Sequence, residues 1–295
     1  MNKIVISASR RTDIPAFYMD WFIKRIKMGY FETTNPYNMT TRKIPAVPSK
    51  VHTIIFWSKN FSYFLKKDFG EKLKNLGYNL FFNFTLNSES KILEPNMPPL
   101  SERINQLKKI CLRFGSETVA WRFDPICFYK DKNNKIWNNL NDFAHIAETA
   151  YQLKIKRCVT SFADIYSKVK KRASALQDFS FIETPLKKKK KILIRMKKYL
   201  YPKNISLCIC CEKEILNNLP KACGIKSASC VDAKLLSDLY GKDISLKKDA
   251  GQRVKAGCGC SISYDIGSYK MHPCFNNCLY CYANATNKNQ ALKRK

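Results

Sequence analysis

Three cysteines near the C-terminus, Cys274, Cys278 and Cys281, stand at C-x3-C-x2-C spacing within His272-Pro273-Cys274-Phe275-Asn276-Asn277-Cys278-Leu279-Tyr280-Cys281-Tyr282. A loop of that length can turn its backbone past a metal centre while each thiolate points inward. Three thiolates are one fewer than a closed structural zinc site or an ordinary iron–sulfur cluster takes. The missing ligand is either a cysteine from elsewhere or an iron position left open for a small molecule. A zinc-stabilised tail is the simpler alternative. His272, two residues ahead of Cys274, either tunes such a centre through a hydrogen bond to sulfur or is a polar surface group.

The chain has 13 cysteines, clustered towards its C-terminal end. Met1-Asn2-Lys3 runs directly into Ile4-Val5-Ile6-Ser7, which leaves no room for the apolar core of a secretory leader. No run of 18 apolar residues could span a membrane. The expectation is a cytoplasmic chain with no membrane partner, whose cysteines serve metal rather than disulfides. Cys211, Cys230, Cys258 and Cys260 make a second set of four, suited to another iron–sulfur cluster or to zinc. Against that set, buried free cysteine commonly acts as a small hydrophobe.

Charged residues collect at the predicted ends of strands. Arg10, Arg11 and Asp13 follow the β-branched run Ile4–Ser9, and the planar guanidinium fork suits a carboxylate or phosphate. Asp13 alternatively caps the helix that Pro15 can open. In Trp121-Arg122-Phe123-Asp124, alternation puts Arg122 and Asp124 on one face of a strand, where they pair with each other or contact ligand. Lys59, after Phe56-Trp57, has the same two readings. Arg10, Arg11, Asp13, Lys59, Arg122 and Asp124 are thus the candidate catalytic or substrate-anchoring groups.

The formal net charge of +30 admits a nucleic-acid partner. Only 12 of the 53 basic residues are Arg, however, and Lys187 to Lys191 open a predicted helix as a solvated face. No Ser/His/Asp triad or phosphate-binding Gly-rich loop is present, so hydrolase and nucleoside-triphosphate chemistries lack support.

These groups need a scaffold. Strand character recurs at residues 4–9, 52–59, 79–86, 118–124, 157–162 and 205–211. Helical spacing fills 15–29, 61–76, 100–114, 140–153 and 192–200. Six β/α repeats predict an α/β fold, a (β/α)6-type partial barrel over residues 1–212. Residues 213–295 would then form a cysteine-rich region packed on the barrel, its tail folding over the C-terminal ends of the strands, where such folds gather their chemistry.

The Cys274-x3-Cys278-x-Tyr280-Cys281 pattern, with an aromatic before the last cysteine, resembles the cluster loop of radical S-adenosylmethionine enzymes. The resemblance implies a [4Fe-4S] cluster on Cys274, Cys278 and Cys281, with S-adenosylmethionine on the open iron and Tyr280 near its adenine. It also implies formation of a 5′-deoxyadenosyl radical and an electron donor such as flavodoxin or ferredoxin. In that superfamily the cysteine loop follows the first strand, whereas here it stands last. Cys258-Gly259-Cys260, Ser263 to Tyr269 and Ser9 to Pro15 narrow the match. Together they resemble a bacterial family of unknown function with a C-terminal radical-S-adenosylmethionine-like cysteine cluster, distantly similar to spore photoproduct lyase. That similarity implies the same chemistry on nucleic acid as one alternative. A non-catalytic zinc or iron–sulfur protein is another.

Overall fold

The computed structural model describes residues 2–34, 40–176 and 178–283. The chain opens with β1 (Ile4–Ala8), α1 (Ile14–Phe17) and α2 (Met19–Met28), then the antiparallel pair β2 (Tyr30–Thr34) and β3 (Thr41–Pro45). Next come β4 (Val51–Ser58), α3 (Ser62–Lys66), α4 (Phe69–Asn75), β5 (Leu80–Thr85), α5 (Leu100–Phe114) and β6 (Val119–Ile126). β7 (Phe128–Lys130), β8 (Ile136–Asn138), α6 (Phe143–Gln152), β9 (Arg157–Phe162), α7 (Ser167–Ala173) and β10 (Ser180–Phe181) follow. The remaining elements are α8 (Leu186–Leu200), β11 (Ser206–Ile209), α9 (Lys213–Asn217), β12 (Lys226–Ser227), α10 (Ala233–Tyr240) and β13 (Tyr264–Asp265).

Eight strands make one sheet in the order β12-β11-β9-β6-β5-β4-β1-β13, and every neighbouring pair is parallel. The molecule is therefore a mixed α/β protein around a large parallel sheet. Such a sheet buries both faces, which is why β4 and β5 read as nearly unbroken apolar runs. One face carries Ile6, Phe56, Phe82, Trp121 and Leu207 against apolar residues of α1 to α6, α8 and α9. The opposite face carries Val5, Ile55, Phe81, Ala120, Val159 and Cys208 against α10 and residues 228–260. β7, β8 and β10 form a separate antiparallel sheet.

All six predicted strands are present, within a residue or two at most ends. α2 buries Met19, Phe22 and Ile26 on one stripe and stops at Gly29, whose φ of 79° closes the helix in the left-handed region. The helix expected over 15–29 is two, parted at Tyr18. The one expected over 61–76 also breaks, at Asp68, which takes φ 51° between α3 and α4. Aspartate is among the few residues that visit that region, so neither Gly nor Pro marks the break. Gly70 in α4 lets Phe114 pack closely: a Cβ there would lie 2.2 Å from the ring.

The Lys187–Lys191 run lies in α8 on its solvated side, with Lys187, Lys188 and Lys191 exposed and Lys189 and Lys190 half-buried, and two of its members also make contacts. Lys188 Nζ sits 4.2 Å from the centre of the Phe128 ring, and Lys190 donates to the Asn218 carbonyl at 3.1 Å. No helix among the described residues is long and apolar enough to cross a membrane.

Candidate functional site

β13 attaches the end of the chain to its beginning. It lies parallel to β1, with Ile6 opposite Tyr264 and Ser7 opposite Asp265. The Asp265 carboxylate then accepts hydrogen bonds from Ser9 Oγ at 2.6 Å, Arg10 N at 2.7 Å, and Ser7 Oγ and Gly267 N at 3.1 Å. Gly267 is required by this contact, because a Cβ would lie 2.1 Å from Ser9 Oγ. From here the chain runs into the cysteine loop, beside the C-terminal end of β1.

The described part of that loop, residues 269–283, contains no helix or strand, so its backbone is seated by outside groups. Tyr18 donates to Pro273 O at 2.5 Å and Asn96 to Phe275 O at 2.7 Å. Leu279 N donates to Leu93 O at 2.8 Å, Tyr282 to Arg10 O at 3.0 Å, and Arg172 to Cys281 O. Phe275 packs on Phe17, and His272 lies between Tyr18 and Trp21. Burial in that aromatic pocket pulls His272 down to about 4. His272 Nδ1 accepts from Ser268 N at 3.2 Å, which puts the ring proton on Nε2.

Two buried carboxylates hold the loop. Asn276 donates to Asp13 Oδ2 at 2.9 Å, while Ala16 N donates to Asp13 Oδ1 at 3.1 Å. Asp13 thus both caps α1 and anchors the loop, and its burial raises it to about 6. Glu94 lies at the centre of the other anchor. Lys59 Nζ and Asn87 Nδ2 each donate to it at 3.0 Å, Tyr280 OH donates to the same oxygen, and Arg103 Nη1 stands 3.6 Å from the second. Burial opposes the Glu94 carboxylate, but Lys59 and Arg103 outweigh it and hold the group below its usual range. Tyr280 is turned into this network, and its ring lies 5.5 Å from Lys59 Nζ. Cys278 and Tyr280 are buried with Leu93, Cys127 and Tyr129 in an apolar cluster, and Cys281 packs at its border. Burial pushes the thiols of Cys274 and Cys278 up.

Arg122 and Asp124 share a face and pair directly, as alternation implies; Ser161 donates to Asp124 as well. Arg122 also reaches Cys230 Sγ at 2.8 Å. Arg10 donates both terminal nitrogens to Ser263 Oγ at 3.2 Å, and Arg11 donates to Gly267 O at the same distance. Arg10 and Arg122 both lie on the indole of Trp57, at 5.3 and 5.4 Å. Cys211, Cys230, Cys258 and Cys260 form a second thiol group on the α10 face, away from the loop cysteines. Cys210, which the strand pattern put inside β11, follows its last residue and joins them. Hydrogen bonds from Cys210 and then Cys258 pull the Cys211 thiol down to about 4. Among the described residues, no three His, Cys, Asp or Glu side chains surround a point where a single ion could sit.

Residues 5–283 match the model of a family described as a domain of unknown function, DUF1848. The chain belongs to that family. No curated protein matches this DUF1848 chain. Among solved structures, a crystal structure of D-hydantoinase is similar at 11% identity and a TM-score of 0.32, over 77% of this chain and 60% of that one.

Several residues that build the DUF1848 site gave little warning in the sequence. Glu94 is a single carboxylate in the loop Leu93-Glu94-Pro95, and Asp265 sits in a two-residue strand. Scarcity is a signal for both, since the chain has 23 acidic residues against 53 basic ones, and Asp265 also lies in the Ser263 to Tyr269 stretch that carries the resemblance. Arg172 and Trp57 carry no local signal at all.

Proposed function

We propose that this chain is a radical S-adenosylmethionine-like iron–sulfur enzyme whose Cys274, Cys278 and Cys281 hold a [4Fe-4S] cluster. The observation that carries the reading is the pairing of β13 with β1. It lets a loop that is last in the sequence lie beside the C-terminal end of the first strand, the position its counterpart takes by chain order in that superfamily. The donor set fits: three thiols of one loop, Cys278 buried and Cys274 and Cys281 half-buried, with apolar side chains around Cys278. When bound, such a cluster with S-adenosylmethionine on its open iron supplies a 5′-deoxyadenosyl radical.

The chain's own residues supply the seat. Tyr280 ties the loop to Glu94 through its hydroxyl, and Asn276 ties it to Asp13. Lys59 is held at the edge of the same network, where it can offer a cation to a carboxylate. In this reading the parallel sheet is a partial barrel with the tail across the ends of its strands, working in the reducing cytoplasm with an electron donor such as flavodoxin or ferredoxin. The charge of +30 makes nucleic acid the first substrate class to test, through steep salt dependence of binding.

The deciding experiment is anaerobic purification with iron and sulfide quantitation, then electron paramagnetic resonance of the reduced protein with and without S-adenosylmethionine. A [4Fe-4S] signal that shifts on its addition is expected. An iron-free, zinc-loaded and silent protein would replace the enzyme with a non-catalytic metal-binding protein.

A further inference from the structure

Five thiols from three separate stretches meet on the sheet face opposite α1. Cys210 and Cys211 follow β11, Cys230 follows β12, and Cys258 and Cys260 precede β13. Cys210 Sγ lies 3.7 Å from Cys211 Sγ and 3.6 Å from Cys230 Sγ. Cys211 hydrogen-bonds with Cys258, whose sulfur also receives the backbone N–H of Cys260. Cys210 stands within reach of both Cys211 and Cys230, where it can hydrogen-bond to a ligand sulfur.

The surroundings are cationic. Arg122 Nη1 stands 2.8 Å from Cys230 Sγ, and the Arg122 side chain is only 8% exposed. Arg10 lies near enough to Cys260 and Cys230 to interact with them electrostatically. Both guanidiniums are fixed on Trp57, at one edge of the thiol group. Arg122 also pairs with Asp124, and Arg10 also feels the Asp265 carboxylate, so each guanidinium faces the thiol group while held by a carboxylate on another side. Four thiolates around zinc, or around a [4Fe-4S] cluster in its usual oxidised state, carry a net charge of two minus, which two guanidiniums offset.

We propose that Cys211, Cys230, Cys258 and Cys260 hold a second, tetrathiolate metal centre, with Arg10 and Arg122 as its counter-ions. This site is independent of the C-terminal loop and stands whether or not that loop binds iron.

The test measures metal in anaerobically purified full-length protein and in the Cys258→Ser, Cys278→Ala and Cys210→Ser variants. Cys258→Ser is expected to lose either about one zinc or about four irons per chain, which tells the two fillings apart. Cys278→Ala should keep that metal, and so should Cys210→Ser. Because Cys258→Ser could fail to fold, the second arm adds cobalt(II) to chelator-stripped Cys278→Ala protein. A thiolate-to-cobalt charge-transfer band at one equivalent supports the site. No such band, or metal content unchanged in folded Cys258→Ser, overturns it. A silent wild-type resonance spectrum alongside an intact cobalt band removes the loop reading and leaves this one.

Discussion

Cys274, Cys278 and Cys281 lie within eight residues, 274–281, whereas Cys211, Cys230, Cys258 and Cys260 span fifty, 211–260, and meet only because three segments converge on one face of the sheet. The first group is written in local spacing, yet its loop has no secondary structure and depends on Asp13, Asn96, Glu94 and Arg172 from elsewhere. The second has no local motif beyond Cys258-x-Cys260, yet its cysteines pack directly against β-strand residues and α10. Chemistry that is easiest to see in sequence can thus be the part of the molecule most dependent on distant residues. Glu94→Gln tests that dependence most severely. It strips the counter-charge from Lys59 and Arg103, which are 14% and 1% exposed, and should cost about 3–5 kcal/mol in denaturant unfolding. Metal on the Cys278 loop should fall, while the cobalt band of the second thiol group survives. A loss below about 1 kcal/mol would show that the loop is seated by its backbone contacts instead.

Asp13 and His272 sharpen the comparison further, because the signs of their shifts oppose. Asp13 rises from 3.8 to about 6, so between those values the folded state holds the extra proton and stability falls as pH increases. His272 drops from 6.5 to about 4, so between those values the unfolded state holds the extra proton and stability rises with pH. Each window is worth about 3 kcal/mol, and in the wild type they nearly cancel. Asp13→Asn should therefore expose a stability that climbs from pH 4 to 6.5, and His272→Gln one that declines over about pH 4 to 6. Urea midpoints measured across pH 4 to 7 check both. Two flat profiles would place these groups closer to solvent than the packing indicates.

The scaffold was more legible than the seating. Long, strongly apolar strands such as Ile54 to Trp57 and Leu80 to Phe84 declare themselves, and α5 falls on the residues its periodicity marks. β12 and β13 have two residues each, too short for any alternation, although β13 is what brings the loop to β1. The Arg122–Asp124 pair could be read from alternation, but the reach of Arg122 to Cys230 could not, because it joins positions 108 residues apart. Asp13 was ambiguous between cap and anchor, and it is both. Tyr280 was expected near an adenine from the resemblance alone; its hydroxyl is bound to Glu94, a partner 186 residues away.

The smallest expected effect lies at the second thiol group. Asp232, two residues after Cys230, caps α10 by accepting from Leu235 N at 3.2 Å through one oxygen and holds Arg157 at 3.0 Å with the other. Asp232→Asn can keep the cap and loses only a partly exposed ion pair, so it should cost less than about 1 kcal/mol. Asp232→Ala loses both and should cost about 1–2 kcal/mol. Arg157 still holds Ser229 O at 2.9 Å in either variant, which limits how far the Cys230 turn can open. Alkylation of Cys230 in metal-stripped protein should accordingly quicken in the alanine variant and stay near wild type in the asparagine one. Equal acceleration in both would mean that the Arg157 ion pair, rather than the helix cap, sets the position of this thiol.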